Sequence, residues 1–451
     1  MYANSGYNKC PKLEVIYLNV DTLISARWVI PVEPANKVLE NQSIAIKDGK
    51  IAGILPNEKA KLKFRPAKQY QLDDHVIIPG LINAHTHAAM SLFRGMADDL
   101  PLMEWLNDHI WPAEQKLVSQ EFVEDGTRLA VAEMIRSGTT CFADMYFFPD
   151  VAATVASDAG IRSVIGLIII DFPSAWARDA DEYLLKAGQV HHKFRNTPLV
   201  KTAFAPHSPY VVSEQSLRQI NTLAEEMDIP IHMHVHETTD EINQSLEQYG
   251  KRPLQRLDEL GLLSPRLLAV HMTQLEPAEI DLIAHYGVNV VHCPESNLKL
   301  ASGFCPVGKL QANGINVALG TDGAASNNDL DMIGEMHTAA LLGKGVANDC
   351  GAVKAFTALE MSTINAAKAL GLQDMIGSIR KGKQADLIAI DLSELESQPL
   401  HDPVSQIVYS ANRNQVSDVW VAGKQLLKSR ELLTINENQV KLSAIKWREK
   451  F

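Results

Sequence analysis

The stretch FVEDGTRLAVAEMIRSGTTCFADMY, residues 122–146, holds two structural periods in one run. Leu129, Val131, Ala132 and Ile135 recur at helical spacing, and Gly138 stands where a helix C-terminal glycine belongs. TTCFADMY then reads as a buried strand. The same alternation extends outward in both directions, without a sequence repeat of fixed period. LINAHTHA precedes it; RSVIGLIII, LVKTAFAPHSP, PIHMHVHET, LLAVHMTQL, VNVVHCPES and NVALGTDGA follow. Eight strand candidates with helices between them, over about 300 residues, predict an α/β fold of the (β/α)8 TIM-barrel type.

The flanks read differently. Residues 13–78 are strand-like in LEVIYLNVDTLIS, QSIAIKDGKIAGILP and YQLDDHVIIPG, and Asp48-Gly49 between apolar alternations signals a hairpin. After the barrel, GSIRKGKQADLIAIDL and VSDVWVAGKQLL return to short strands, and residues 436–451 read as a helix. The expected division is residues 1–78 and 378–451 as the two parts of a small β-sandwich, with residues 79–377 as the catalytic barrel.

Composition narrows the class. The 451 residues carry 42 Lys and Arg against 54 Asp and Glu, a net charge of −12, which disfavours nucleic acid as a partner. Five cysteines, Cys10, Cys141, Cys293, Cys305 and Cys350, are scattered without a CxxC pair, so neither a disulfide framework nor a zinc ribbon is expected. No apolar run approaches the roughly 18 residues of a membrane span, and no secretory leader is read at the N-terminus. The expectation is a cytoplasmic protein with no membrane partner.

Chemistry gathers at the ends of the predicted strands. His85 and His87 in NAHTHAAM are two apart, so a strand projects both from one face, close enough to share a metal. His232, His234 and His236 alternate on one face of PIHMHVHET, and Glu237 follows. His271 closes LLAVH, and Asp322 follows the strand and glycine of VALGTDG. Barrel active sites are built at such C-terminal strand ends. A buried, hydrogen-bonded HxH would account for one strand but not for four.

PGLINAHTHAAMSLFRGMADDLPLMEWL, with HVHE, AVHMTQL and LGTDGAASNN, resembles the amidohydrolase superfamily. It is most similar to the 5′-methylthioadenosine/S-adenosylhomocysteine deaminases, relatives of guanine deaminase and the triazine hydrolases. The resemblance covers nearly the whole chain, GSIRKGKQADL included. It implies that His85, His87, His234 and Asp322 hold one divalent metal, usually zinc. It also implies that Glu237 shuttles protons, that His271 stands beside the attacking water, and that Asp322 is both ligand and base. Three imidazoles and a carboxylate suit zinc and leave a position for water, and a carboxyl beside it can pass a proton.

On the substrate side, Trp105 and Glu114 in PLMEWLNDHIWPAEQKL follow the first barrel strand and form a candidate wall over the pocket. By resemblance Glu114 binds ribose hydroxyls. His207 in AFAPHSPYVV ends the fourth strand and points to ribose or purine. Ser326 either bonds the substrate, as Glu237 also would, or serves its glycine-rich turn. Arg162 and Arg178 are the nearest candidates for a charged substrate tail and match no motif. The HE at 236–237 lacks the His of a zincin helix, the H-x-E and P-C-x-x-C signature of base deaminases is absent, and Lys201 lies too early in its strand to bridge two metals.

The expected reaction is hydrolytic deamination of an adenosine-type nucleoside: 5′-methylthioadenosine, S-adenosylhomocysteine or adenosine. A guanine, pterin or triazine aminohydrolase with the same metal site is the alternative, and a non-catalytic barrel scaffold a third reading. A homo-oligomer, dimer or tetramer, is expected on general grounds.

Overall fold

The structure is a computed structural model describing residues 17–451. The start of the first predicted strand, residues 13–16, and Cys10 lie outside the described residues. Four strands come first: β1 (Leu18–Val29), β2 (Leu39–Lys47), β3 (Lys50–Pro56) and β4 (Phe64–Pro79). The β2–β3 hairpin turns on Asp48 (φ 51°) and Gly49 (φ 75°), the left-handed pair that matches the twist of two antiparallel strands.

Eight parallel strands follow: β5 (Leu81–Thr86), β6 (Thr139–Tyr146), β7 (Arg162–Ile169), β8 (Val200–Pro206), β9 (Ile231–Val235), β10 (Leu267–His271), β11 (Asn289–His292) and β12 (Val317–Leu319). Each pairs with the next in chain order. All eight predicted strands are present, and helices separate them. Every residue of β5, β6 and β7 is buried, as parallel strands covered on both faces require. The helix preceding β6 spans Gln120–Arg136, capped by Ser119 and followed by Gly138 at φ 93°. The ring is drawn shut between its first and last strands, where the Asp322 amide donates to the His85 carbonyl at 3.0 Å. Gly320 makes that approach possible, since a Cβ there would stand 2.8 Å from the His85 backbone nitrogen.

The chain then supplies β13 (Leu387–Asp391), β14 (Val416–Val421), β15 (Lys424–Lys428) and β16 (Glu431–Leu432), and a closing helix, Glu437–Arg448. These four strands join the first four in one continuous sheet, ordered β16-β15-β14-β13-β4-β1-β2-β3. The accessory module thus draws on both chain ends, as expected, and its strands are hydrogen-bonded into a single eight-stranded sheet. It is fastened to the barrel through β4, which passes across Gly80 into β5, and through a buried ion pair. Arg162 Nε and Nη2 reach the Asp386 carboxylate at 2.9 and 3.1 Å. Among the described residues, no helix is long and apolar enough to cross a membrane.

Candidate active site

The strand ends place four groups around one point. His234 Nε2 lies 3.1 Å from His85 Nε2, and Asp322 Oδ1 lies 3.3 Å from both His85 Nε2 and His87 Nε2. The ligand atoms of these four residues all fall within 4.8 Å of one another. Two ligands at about 2.1 Å from a tetrahedral zinc stand about 3.4 Å apart, so the observed separations fit a zinc-sized ion. The other ring nitrogens are occupied. His87 Nδ1 meets the Met145 carbonyl at 2.5 Å and His234 Nδ1 the His207 carbonyl at 2.8 Å, which leaves their Nε2 lone pairs facing the cluster.

Electrostatics agree with a cation there. Burial would raise the Asp322 carboxyl, but hydrogen bonds from His85 and His87 hold it well below its usual range. Burial pushes His85 down to about 4 and His234 well below an ordinary histidine, so both stay neutral. For His87 burial acts downward too, but contact with Asp322 outweighs it and lifts the ring to about 9. The proton this holds between carboxylate and imidazoles is one that a metal would displace.

Backbone strain marks the same place. Asp322 (φ 66°) and His271 (φ 75°) sit in the left-handed region, at about 1–3 kcal/mol each for non-glycine residues. Strain of that kind persists where it aims a functional side chain. Asp322 is also fixed by Ser296 and Ser326, whose hydroxyls donate to Oδ2 at 2.6 and 2.8 Å.

Glu237 and His271 stand beside the cluster, Glu237 Oε2 lying 3.8 Å from His271 Nε2. Burial raises the Glu237 carboxyl, which makes it a credible proton carrier. Its backbone amide, with that of His236, is gripped by the Glu241 carboxylate at 2.7 and 3.0 Å. Asn297 Oδ1 accepts from His271 Nδ1 at 2.8 Å.

The pocket above this floor is lined by Trp105, Glu114, His207, Glu237 and Ser326 among others, so all five predicted substrate contacts share it. Glu114 is pushed up to about 7 by burial, partly offset by the Tyr146 hydroxyl that donates to it at 2.7 Å. Trp105 opens a π-helical turn, Trp105–Ile110, and its indole donates to the Ala97 carbonyl at 3.1 Å. His207 Nδ1 is buried without a partner in the protein, as suits a ring awaiting a ligand. The Ser326 hydroxyl is committed to Asp322, which gives it a positioning contact besides its place in the wall.

Other residues fall away from the site. The three alternating histidines of β9 part company, because the strand ends at Val235 and His236 turns to φ 55°. His236 Nε2 then accepts from the Leu254 amide at 3.2 Å. His232 lies beneath the cluster, its Nε2 2.9 Å from His85 Nδ1. Arg162 begins β7, at the opposite end of the barrel from the site, and Arg178 is exposed and bonded to Glu182. Neither lines the pocket. Lys201 is exposed on its strand, away from the cluster. The supporting roles of His232, Ser296 and Asn297 were not read from the sequence. One signal was available for Glu241, since Thr238-x-x-Glu241 is a helix-start pattern.

Residues 76–426 match the Amidohydrolase family. A 5-methylthioadenosine/S-adenosylhomocysteine deaminase of Saccharophagus degradans is 51% identical over 430 residues, spanning 95% of this chain and 96% of that one. The crystal structure of an adenosine deaminase from Xanthomonas campestris with bound zinc superposes with a TM-score of 0.96 at 53% identity, covering 96% of this chain and 99% of that chain. An atrazine chlorohydrolase from Arthrobacter aurescens shares the fold at a TM-score of 0.88 and 21% identity, covering 94% of this chain and 99% of that chain. By sequence and fold together, this chain belongs to the amidohydrolase family, among the relatives named 5-methylthioadenosine/S-adenosylhomocysteine deaminases.

Proposed function

We propose that this chain is a zinc-dependent aminohydrolase that converts an adenosine-type nucleoside and water to the inosine derivative and ammonia. 5′-Methylthioadenosine, S-adenosylhomocysteine and adenosine are the candidate substrates. One observation carries the reading: of a cluster of three imidazoles and a carboxylate, His87, His234 and Asp322 line one pocket together with the raised carboxyl of Glu237 and with Glu114. The relatives' names support it.

His85, His87, His234 and Asp322 are the residues that would hold the metal. When bound, zinc lowers the pKa of a water to near neutrality and so makes a nucleophile available. Asp322 takes a proton from the attacking water at its carboxylate. Glu237 delivers a proton to the ring nitrogen next to the attacked carbon, recovers one from the newly added hydroxyl as the carbonyl forms and supplies it to the departing amine, so that ammonia leaves; the proton held by Asp322 then returns to Glu237. His271, held by Asn297, orients the water. Glu114 accepts from the ribose hydroxyls, His207 offers its free nitrogen to the sugar or purine, and Trp105 walls the pocket.

We assign residues 79–377 as the catalytic unit, with residues 1–78 and 378–451 as its flanking parts. This is supported by the barrel strands between residues 81 and 319 and the mixed origin of the second sheet. Cys141, Cys293, Cys305 and Cys350 are unpaired, which supports a cytoplasmic setting. A homo-oligomer, dimer or tetramer, rests on the general prevalence of such assemblies.

The test is loss of adenine-type absorbance with metal-analysed protein, across the three nucleosides and guanine. Rapid turnover of a nucleoside with about one zinc per chain is expected. Zinc-loaded protein silent on every nucleoside would overturn the reading, and turnover of guanine alone would move it to the free-base alternative.

A further inference from the structure

We infer that this pocket selects a neutral, apolar 5′ substituent over a zwitterionic amino-acid tail, and that Phe172 at its mouth enforces the choice; this rests on the nucleoside reading above. The purine carbon to be attacked must reach the floor formed by His85, His87, His234 and Asp322. The 5′ substituent lies at the other end of the nucleoside and therefore projects toward the mouth. Phe172 is the one exposed residue of the lining, at 43% exposure, which identifies it as the mouth. It lies three residues past the end of β7 and is held there by its neighbour, since the Asp171 amide donates to the Val211 carbonyl at 3.1 Å.

What surrounds that mouth is apolar or acidic. Among the described residues, no lysine or arginine lines the pocket. The cations nearest along the chain to lining residues are already engaged. Lys299, next to Leu300, bonds Asp98 at 2.6 Å and the Ala325 carbonyl at 3.1 Å; Lys116, two residues beyond Glu114, donates to the Lys450 carbonyl at 3.1 Å; Arg94, four beyond Met90, bonds Glu133 at 3.0 Å; and Arg178, six beyond Phe172, bonds Glu182 at 2.7 Å. An adjoining cavity shares Leu102, Tyr210 and Glu237 with the pocket and adds only carboxylates as charges: Asp240, Glu241 and Glu247. A carboxylate tail would lose water here and gain no cation. A methylthio group loses little water, and its sulfur gains from aromatic neighbours such as Phe172 and Trp105.

The experiment uses the zinc-loaded full chain and compares kcat/KM for 5′-methylthioadenosine and S-adenosylhomocysteine. An unpaired carboxylate at a partly buried site predicts a preference of about 10- to 100-fold for the methylthio substrate. Phe172→Arg should shrink that ratio about tenfold by improving the zwitterionic substrate, as a charge-assisted hydrogen bond would. Phe172→Leu, apolar and uncharged, should keep the methylthio preference, reduced only by the lost contact of the sulfur with the ring. Equal use of both nucleosides by the parent would overturn the inference while leaving the deaminase reading intact. A ratio unmoved by Phe172→Arg in a folded, active protein would overturn the role of Phe172. Deamination of neither nucleoside would overturn both readings together.

Discussion

His232 touches none of the predicted reacting atoms, yet replacing it should weaken metal binding. Its Nε2 lies 2.9 Å from His85 Nδ1, and the two rings are 1% and 0% exposed. Burial holds His232 well below an ordinary histidine, so it is neutral and able to accept a hydrogen bond. With its Nε2 given to the bound metal, the neutral His85 ring carries its one proton on Nδ1 and donates it to His232. His232→Leu removes the acceptor and strands that N–H in a buried site. A buried donor without a partner costs about 1–3 kcal/mol. At about 1.4 kcal/mol per decade this is roughly 5- to 150-fold, the range in which lost outer partners of metal-binding histidines fall. We therefore expect zinc affinity to fall about 10- to 100-fold, with most turnover restored at saturating zinc. His232→Gln keeps an acceptor oxygen and should recover much of the affinity. The assay is chelator competition at equilibrium, with circular dichroism confirming that each variant is folded. Parental zinc affinity in folded His232→Leu would refute the reasoning, because the hydrogen bond would then contribute nothing to orienting His85.

Four further outcomes follow from the same geometry. Glu237→Gln should retain zinc and fold but lose about 10²–10⁴ in kcat, read by metal analysis beside steady-state kinetics; near-parental turnover would remove Glu237 from the proton path. Glu114→Ala should weaken nucleosides far more than free bases, and equal losses on both would sink its ribose role. Because burial lifts Glu114 to about 7, its accepting, ionised form grows as pH rises through that value, so nucleoside kcat/KM should climb there and the limb should vanish in Glu114→Gln. Asp386→Ala leaves the buried Arg162 guanidinium without its counter-charge and should cost about 3–5 kcal/mol. A denaturation midpoint unchanged from the parent would contradict that assignment.

Much of the fold and of the candidate site was legible because its signals are local. Strand and helix periods need only a window of residues, so the eight barrel strands, the Asp48-Gly49 turn and the helix ending before Gly138 could all be read. Chemistry at strand ends is also local: HxH on a strand puts His85 and His87 on one face whatever lies around them. The same rule failed at His236, because alternation holds only while the strand continues and a positive φ ends it one residue earlier.

The sequence by itself determined which groups are available: the histidines, Asp322 and Glu237 at successive strand ends, and Glu114 and Trp105 in the segment after the first. Closing the barrel decided how they are supported. His232 lies 147 residues from His85, Asn297 is 26 from His271, and Arg162 is 224 from Asp386. Those partnerships depend on which elements face each other across and around the closed ring, and no local period records that. Tertiary structure also sent Arg162 to the far end of the barrel and left Phe172 at a mouth without cations. A side chain's direction along a strand can be read from its position, but what waits at either end of the barrel exists only once the ring is closed.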